Sequence, residues 1–196
     1  MKRANKPFHA TRAKRTHVNG GVMPESDEAE KFLARHRESK AIERSSAGKI
    51  IRKVSRGLKS RGFSRRSTFF SREKDHIIQF VHIHKYSFGR CFRVHVGLRV
   101  LNDPKQRIAL NGISSNEHPH YRTSIIFGAT DDSLDACAKE VLAYVTGVAE
   151  PWLDQQTGRA LLSKGSPLYP DERVALAAAL RGESDEGNVL LSKSLF

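Results

Sequence analysis

Three histidines have a spacing that could bind a metal ion. His82 and His84 are two residues apart within residues 76–86, and His95 lies within residues 90–101, the next apolar run. Alternate residues of a strand share a face, and antiparallel pairing of these runs would bring His95 beside the other two imidazoles. Three imidazoles can bind zinc. No Asp, Glu or Cys is clearly placed to complete the site, so half-buried histidines facing a helix are the competing interpretation, and no cofactor is predicted.

A second candidate site uses arginines of the same predicted strand. Apolar side chains occupy every second position of residues 90–101, and the positions between them include Arg93, His95 and Arg99. Guanidinium groups bind phosphate or carboxylate bidentately, so this face could hold an anion. The alternative is a solvent-facing sheet surface, or arginines that pair with local acids. The predicted chemistry of the anion site is binding, not turnover.

Residues 44–66 contain many cations and no acid, and they are the strongest functional feature of the sequence. Four apolar residues recur there at helical spacing and predict a buried helix face: Ile50, Ile51, Val54 and Leu58. The predicted basic face consists of Lys49, Arg52, Lys53, Arg56 and Lys59, continued by Arg65 and Arg66. Such a face can bind nucleic-acid phosphates, can dock an acidic protein, or can simply be solvated. The helix itself lacks aromatic residues that could stack on bases.

The net charge of +13 is concentrated in the first half of the chain. Residues 1–22 have no acid and no apolar periodicity, and their cations are Lys2, Arg3, Lys6, Arg12, Lys14 and Arg15. This composition predicts a disordered basic tail, which is either a nucleic-acid-binding arm or an extension upstream of a start at Met23. Charge asymmetry of this kind is typical of proteins that bind nucleic acids or anionic membranes.

Sequence signs of catalysis and of membrane insertion are few. The chain has no nucleophile elbow, no phosphate loop and no paired carboxylates at a readable spacing. Cys91 and Cys137 are too few for a disulfide framework, and no apolar run is long enough to cross a membrane. We therefore expect a non-enzymatic protein in a reduced, cytoplasmic setting, without a membrane partner.

Several strands must position the candidate residues. We predict strands at residues 68–72, 76–86, 90–101 and 122–127. The connections between the first three are so short that these strands must pair antiparallel.

Helices are predicted before and after these strands along the sequence. A helix capped by Ser45 or Ser46 ends at Gly62, and Phe63 folds back onto its last turn. Thr130 caps a second helix that Gly147 ends, and further helical segments follow. The predicted fold class is therefore α+β, an antiparallel β-meander of about four strands packed against helices, with an accessory helical C-terminus.

The order of three motifs resembles the bacterial domain-of-unknown-function family 4304. They are a helix that ends in Gly62 and Phe63, the stretch TFFSR at residues 68–72, and the strand FRVHVGL at residues 92–98. The resemblance covers about residues 45–165, including a proline-containing segment at 151–153. It implies a fold of helices around an antiparallel meander, without an activity, a cofactor or a catalytic residue. Similar small domains occur among bacterial immunity proteins that bind toxins.

The predicted organisation has four parts. They are a disordered tail (1–22), a solvated helical lead-in (23–44), the α+β domain (45–165) and a C-terminal helical extension (166–196). The first functional hypothesis is a protein-binding module, immunity-like, with an acidic partner. The second is sequence-independent nucleic-acid binding through residues 44–66 and the tail, and the weakest is a metal-dependent enzyme built on the histidines. No oligomeric state is predicted.

Overall fold

An antiparallel sheet forms the centre of the computed structural model, which describes residues 26–121 and 125–196. The strands are β1 (Ser64–Arg66), β2 (Phe69–Lys74), β3 (Ile77–Lys85), β4 (Cys91–Val100), β5 (Leu110–Asn111) and β6 (Ile125–Ile126). Strands β1 to β5 lie side by side in chain order, and β6 pairs with β4. The predicted antiparallel meander is confirmed, with two short strands, β1 and β5, that were not predicted. Residues 122–124 of the predicted fourth strand lie outside the described residues, as does the predicted tail.

Helices precede and follow the sheet, which confirms the α+β class and the helical C-terminal part. They are α1 (Ser26–Lys59), α2 (Asp131–Tyr144), α3 (Glu150–Gln155), α4 (Gly158–Leu161), α5 (Pro170–Leu180) and α6 (Glu186–Ser194), with a π-helical turn at Val145–Ala149. Among the described residues, no helix is both long and apolar enough to span a membrane. By its contacts the chain divides into two units, with the boundary within α1 between Glu38 and Ser39.

Helix α1 runs without a break through the position where a cap was predicted. Ser46 is buried inside the helix, so the predicted cap at Ser45 or Ser46 is wrong. The sequence signal failed because a serine within a helix can equally lie on the core-facing side. The predicted stop is confirmed: Gly62 has a φ of 80°, and the amides of Gly62 and Phe63 donate to the carbonyls of Lys59 and Leu58.

The predicted helix stop at Gly147 is wrong. The chain continues from α2 through the π-helical turn into α3, and Gly147 does not adopt the left-handed conformation that a stop requires. Pro151 follows directly in α3 and has no amide hydrogen for a bond to the preceding turn. A widened turn is common where the regular hydrogen-bond ladder is interrupted.

One face of the sheet packs against α1 and α2 and forms the main core. The apolar side chains that alternate along β3 and β4, such as Val81 and Val94, are buried there against Val54 of α1 and Val141 of α2. This confirms the prediction that the apolar face of residues 90–101 lies in the core. Leu98 and Val100 extend the same face to a smaller cluster that includes residues of α4 and α5.

The opposite face of the sheet has two halves. The covered half, defined as Ile78, Phe80, Gly97 and Arg99, is buried beneath α6 and Phe196. The open half is defined as Phe69, His82, His84, Tyr86, Arg93 and His95, all of which are partly or fully exposed. The candidate histidines and arginines of β3 and β4 therefore each belong to one of these two environments.

Candidate binding face

The three candidate histidines lie together in the open half. His82 of β3 pairs directly with His95 of β4, and their ring centroids are 5.8 Å apart. His84 lies 5.9 Å from His82 and 6.3 Å from His95, measured between ring centroids. Antiparallel pairing thus brings the imidazoles of two strands into one cluster.

The described part of the chain offers these imidazoles no metal-binding arrangement. Within residues 26–121 and 125–196, no three His, Cys, Asp or Glu side chains are arranged to hold a metal ion. The ring of His82 lies flat against Phe69, with 4.0 Å between centroids and 2° between planes, and is also close to parallel with His95, at 20°. Parallel rings stand side by side, whereas metal ligands must converge on one point, so the geometry does not support the hypothesis of a metal-dependent enzyme.

Burial keeps two of the imidazoles neutral. It lowers the pKa of His82 to about 4, and the neighbouring His95 and His84 add to this effect. The pKa of His95 is also lowered, first by burial and then by the positive charge of Arg93, while Glu117 acts in the opposite direction. Near neutral pH each of these rings therefore offers one hydrogen-bond donor and one acceptor.

A row of stackable groups crosses four strands at the edge of the open half. The register pairs Arg66 of β1 with Phe69 of β2, Phe69 with His82, and His82 with His95. The guanidinium group of Arg66 donates to the Ser194 carbonyl at 2.6 Å. The row therefore places a cation at one end and parallel rings along the rest.

Further aromatic rings continue the open half along β3. Tyr86 lies 5.5 Å from His84 between ring centroids, and Phe88 lies 5.3 Å from Tyr86. Phe88 is 81% exposed, the largest exposed fraction among the large hydrophobic side chains described. The open half thus presents rings that no helix within residues 26–121 and 125–196 buries.

The structure separates the arginines of the predicted anion site, so that prediction is wrong. Arg99 is fully buried in the covered half, where its guanidinium group donates to Ser192 Oγ at 2.8 Å and to the carbonyls of Asp103, Lys105 and Arg107 at 2.7, 2.5 and 2.6 Å. With these acceptors filling its donor positions, Arg99 has little capacity left for an anion.

Arg93 lies six residues away from Arg99 on the same strand, about 20 Å along its length. It forms an ion pair with Glu117 at 3.1 Å. The other carboxylate oxygen of Glu117 accepts from the amide of Ser114, whose hydroxyl lies 3.2 Å from Nδ1 of His95. Arg93 therefore belongs to the polar surroundings of the imidazoles rather than to a site shared with Arg99.

The basic face of α1 is partly neutralised by the acidic start of α2. Lys49 lies 3.4 Å from Asp131, and Lys53 forms an ion pair with Asp135. The other predicted residues of this face, Arg52, Arg56 and Lys59, are exposed, and they form no ion pair within the described part of the chain. The helix surface beside α2 is thus of mixed charge.

Arg65 and Arg66 lie on β1 and do not continue the basic face of α1. The chain reverses at Gly62, and Arg65 donates to the Ser67 carbonyl at 2.7 Å. Both arginines are exposed. Arg66 pairs with Phe69 and lies on the side of the open half, where its guanidinium group donates to the Ser194 and Phe196 backbone oxygens. Arg65 pairs with Phe70 and therefore lies on the other side of the sheet, so of the predicted basic residues Arg66 is the one beside the open half.

Sequence reasoning missed Phe69 and Tyr86 as parts of a surface. The available signal was the turn between β2 and β3, where Asp75 and His76 have φ values of 51° and 61°. Such a two-residue turn fixes the pairing of Lys74 with Ile77 and hence the side of every residue in β2. Counting back from this turn places Phe69 with His82 and Phe70 in the core.

Comparisons with known proteins add no relative. Neither a protein-family model, nor a curated protein, nor a solved structure matches the chain. The resemblance to family 4304 therefore stays a prediction.

Proposed function

We propose that the protein is a non-enzymatic module that binds single-stranded nucleic acid on the open half of the sheet. The observation that carries this proposal is the row from Arg66 through Phe69 and His82 to His95, in which a cation adjoins rings on neighbouring strands. Within the row the faces of Phe69 and His82 lie against each other, so their edges meet the ligand. Bases of single strands would stack on the rings beside the row, His84 and Tyr86, and Arg66 would bind a backbone phosphate. The aromatic groups that the basic helix lacks are supplied here by the sheet.

The charge of the chain favours a polyanionic ligand. Arg66 lies beside the rings, and the whole chain carries a net charge of +13. The neutral imidazoles can donate to and accept from the edges of unpaired bases, which a duplex does not expose. We therefore expect a preference for single strands over duplex.

Fluorescence anisotropy with the full chain tests this proposal. The probes are a labelled thymidine oligonucleotide of about twenty residues and a duplex of equal length, at about 50 and 200 mM salt. The single strand should bind more tightly, and its affinity should fall steeply with salt. His84→Ala and Tyr86→Ala should each weaken binding by about 1–3 kcal/mol, the usual contribution of one stacked base.

The matched control is His120→Ala, which removes an exposed loop imidazole that contacts Tyr121 and not the sheet. It should leave the affinity unchanged. Absence of binding at the lower salt concentration would contradict the proposal. Equal effects of His84→Ala and His120→Ala would also contradict it, because the open half would then have no special role.

A protein partner is the second candidate, and one observation favours it. Phe88, Ile126 and Ile113 are 81%, 68% and 52% exposed, and large exposed apolar groups near aromatic rings are typical of protein interfaces. The partner would be acidic, in keeping with the charge of the chain. Sedimentation with an acidic model protein, compared between the wild type and Phe88→Ser, would show whether this surface binds protein instead.

The expected cytoplasmic location is part of this proposal. Cys91 and Cys137 are both free thiols, and burial raises the pKa of Cys137 to about 12. A thiol with so high a pKa is unreactive, so no thiol chemistry is expected of Cys137.

A further inference from the structure

A surface pocket of about 320 Å³ borders the open half. Its lining residues are Phe69, Gln106, Arg107, Ile108, Leu195 and Phe196. Phe69 belongs to both surfaces, since it stacks on His82 and also forms one wall of the pocket. A strand bound on the open half would therefore pass directly beside this pocket.

Aromatic contacts hold the walls of the pocket in place. Phe196 stacks on Phe80 at 4.8 Å and meets Phe69 edge-on at 5.9 Å, both measured between ring centroids. Phe80 in turn is buried over Gly97. The volume is at the small end for ligand pockets, so it suits a single planar ring better than an extended ligand.

The polar groups of the lining differ in what they can bind. Arg107 is held by Asp171 and Glu172, both at 2.8 Å, and by Asp103 at 3.3 Å, so its charge is already neutralised. Gln106 is exposed, and its side chain has no hydrogen-bond partner within the described residues. The pocket thus offers apolar walls and one free carboxamide, which suits a base rather than a phosphate.

We propose that this pocket takes up one unpaired adenine of the bound strand. A glutamine carboxamide can donate to N7 of adenine and accept from its N6 amino group, a pair that other bases do not reproduce. The apolar walls would enclose the faces of the base. This inference rests on the proposed binding of single strands and adds a base preference to it.

Anisotropy competition with the full chain tests the inference. The probes are an oligothymidine of about twenty residues and the same strand with one central adenine. The adenine-containing strand should bind about fivefold to a hundredfold more tightly, the range expected for one bidentate pair. Gln106→Ala should remove this preference while leaving the affinity for oligothymidine unchanged. Asn111→Ala removes a different exposed carboxamide, which lies on β5, and should preserve the preference.

The outcomes separate the inference from the proposed function. Equal binding of the two strands by the wild type would overturn the adenine pocket and leave single-strand binding intact. A preference that survives in Gln106→Ala would overturn it as well. If neither strand binds at low salt, both proposals fail. Because Gln106 is exposed, its substitution should not disturb folding, and a circular dichroism spectrum would verify this.

Discussion

The sheet face that lies opposite α1 and α2 has two halves, which are built from the same strands but differ in burial. In the covered half, Arg99 and Phe80 are buried beneath α6 and Phe196. In the open half, Arg93 and His82 lie on the same strands and the same face, and no helix of the described part of the chain buries them. The half beneath α6 is buried, whereas the side chains of the other half remain partly exposed.

A single glycine marks the difference between the two halves. In the covered half Phe80 pairs with Gly97, so the phenyl ring can lie over the backbone and form a base for Phe196. At the next pair on the same face, His82 lies opposite His95, and the two rings stack side by side. The identity of one cross-strand pair thus decides whether Phe196, which follows α6, can pack on it.

The largest difference in stability between the halves should appear when Arg99 of the covered half and Arg93 of the open half are each replaced by alanine. Arg99→Ala removes the donor to the buried Asp103 carbonyl, to the partly buried Arg107 carbonyl and to the Ser192 hydroxyl, and each buried group left unsatisfied costs about 1–3 kcal/mol. We expect the free energy of unfolding to fall by about 3 kcal/mol or more, as measured by urea titration.

Arg93→Ala is the matched control on the same strand. It removes one partly exposed ion pair with Glu117, and pairs of this kind are worth about 0–1 kcal/mol. Similar losses for both variants would contradict the division into a covered and an open half.

Gly97→Ala should have the next largest effect. A Cβ atom there would lie 2.5 Å from Cζ of Phe80 and 3.0 Å from the Leu110 carbonyl oxygen. Phe80 cannot move away easily because Phe196 stacks on it, so we expect a loss of about 1–3 kcal/mol in thermal or urea unfolding. Gly147→Ala is the control, since nothing lies within 4 Å of its added methyl group, and it should be neutral or slightly stabilising. An unchanged stability in Gly97→Ala would show that Phe196 does not hold the ring.

The alternation of apolar residues predicts the sheet because it reflects short-range geometry. Residues 90–101 alternate strictly, and the structure buries their apolar set as β4. The stop at Gly62 is equally local, since a left-handed residue ends a helix wherever it occurs. The predicted stop at Gly147 was wrong because this residue, although a glycine like Gly62, keeps a helical conformation.

The candidate site could be predicted only in part. Strand pairing brings His82 and His95 together, and that follows from a short connection between two apolar runs. The separation of Arg93 from Arg99 could not be predicted, because it depends on α6, almost a hundred residues further along the chain. No local pattern states which half of a polar strand face a distant helix will cover.

A smaller effect on the free energy of unfolding should appear in the open half as the pH is lowered, and it comes from His82. The pKa of His82 is about 4 in the folded protein, below its ordinary value of 6.5. Between these two values the unfolded chain binds a proton at this imidazole and the folded protein does not, so the free energy of unfolding falls as the pH is lowered. Above pH 6.5 the group is neutral in both states and has no effect.

His82→Gln should make this decline between about pH 6.5 and 4 shallower, as measured by urea unfolding at several pH values. His120→Gln, at the exposed loop position, should retain the wild-type slope. Carboxylates titrate in the same range, and they cancel when variants are compared with the wild type. An equal slope in His82→Gln and the wild type would mean that burial in the open half does not perturb this histidine.

The smallest expected effect concerns the surroundings of His95. Burial lowers its pKa most, the charge of Arg93 lowers it further, and Glu117 raises it. Arg93→Gln should therefore raise the pKa of His95, whereas Glu117→Gln should lower it, and NMR titration of the imidazole carbons would measure both. Shifts in opposite directions would place His95 within reach of both charges in solution. Shifts in the same direction would instead mean that breaking the ion pair rearranges this part of the open half, which would remove the basis for treating it as a preformed binding face.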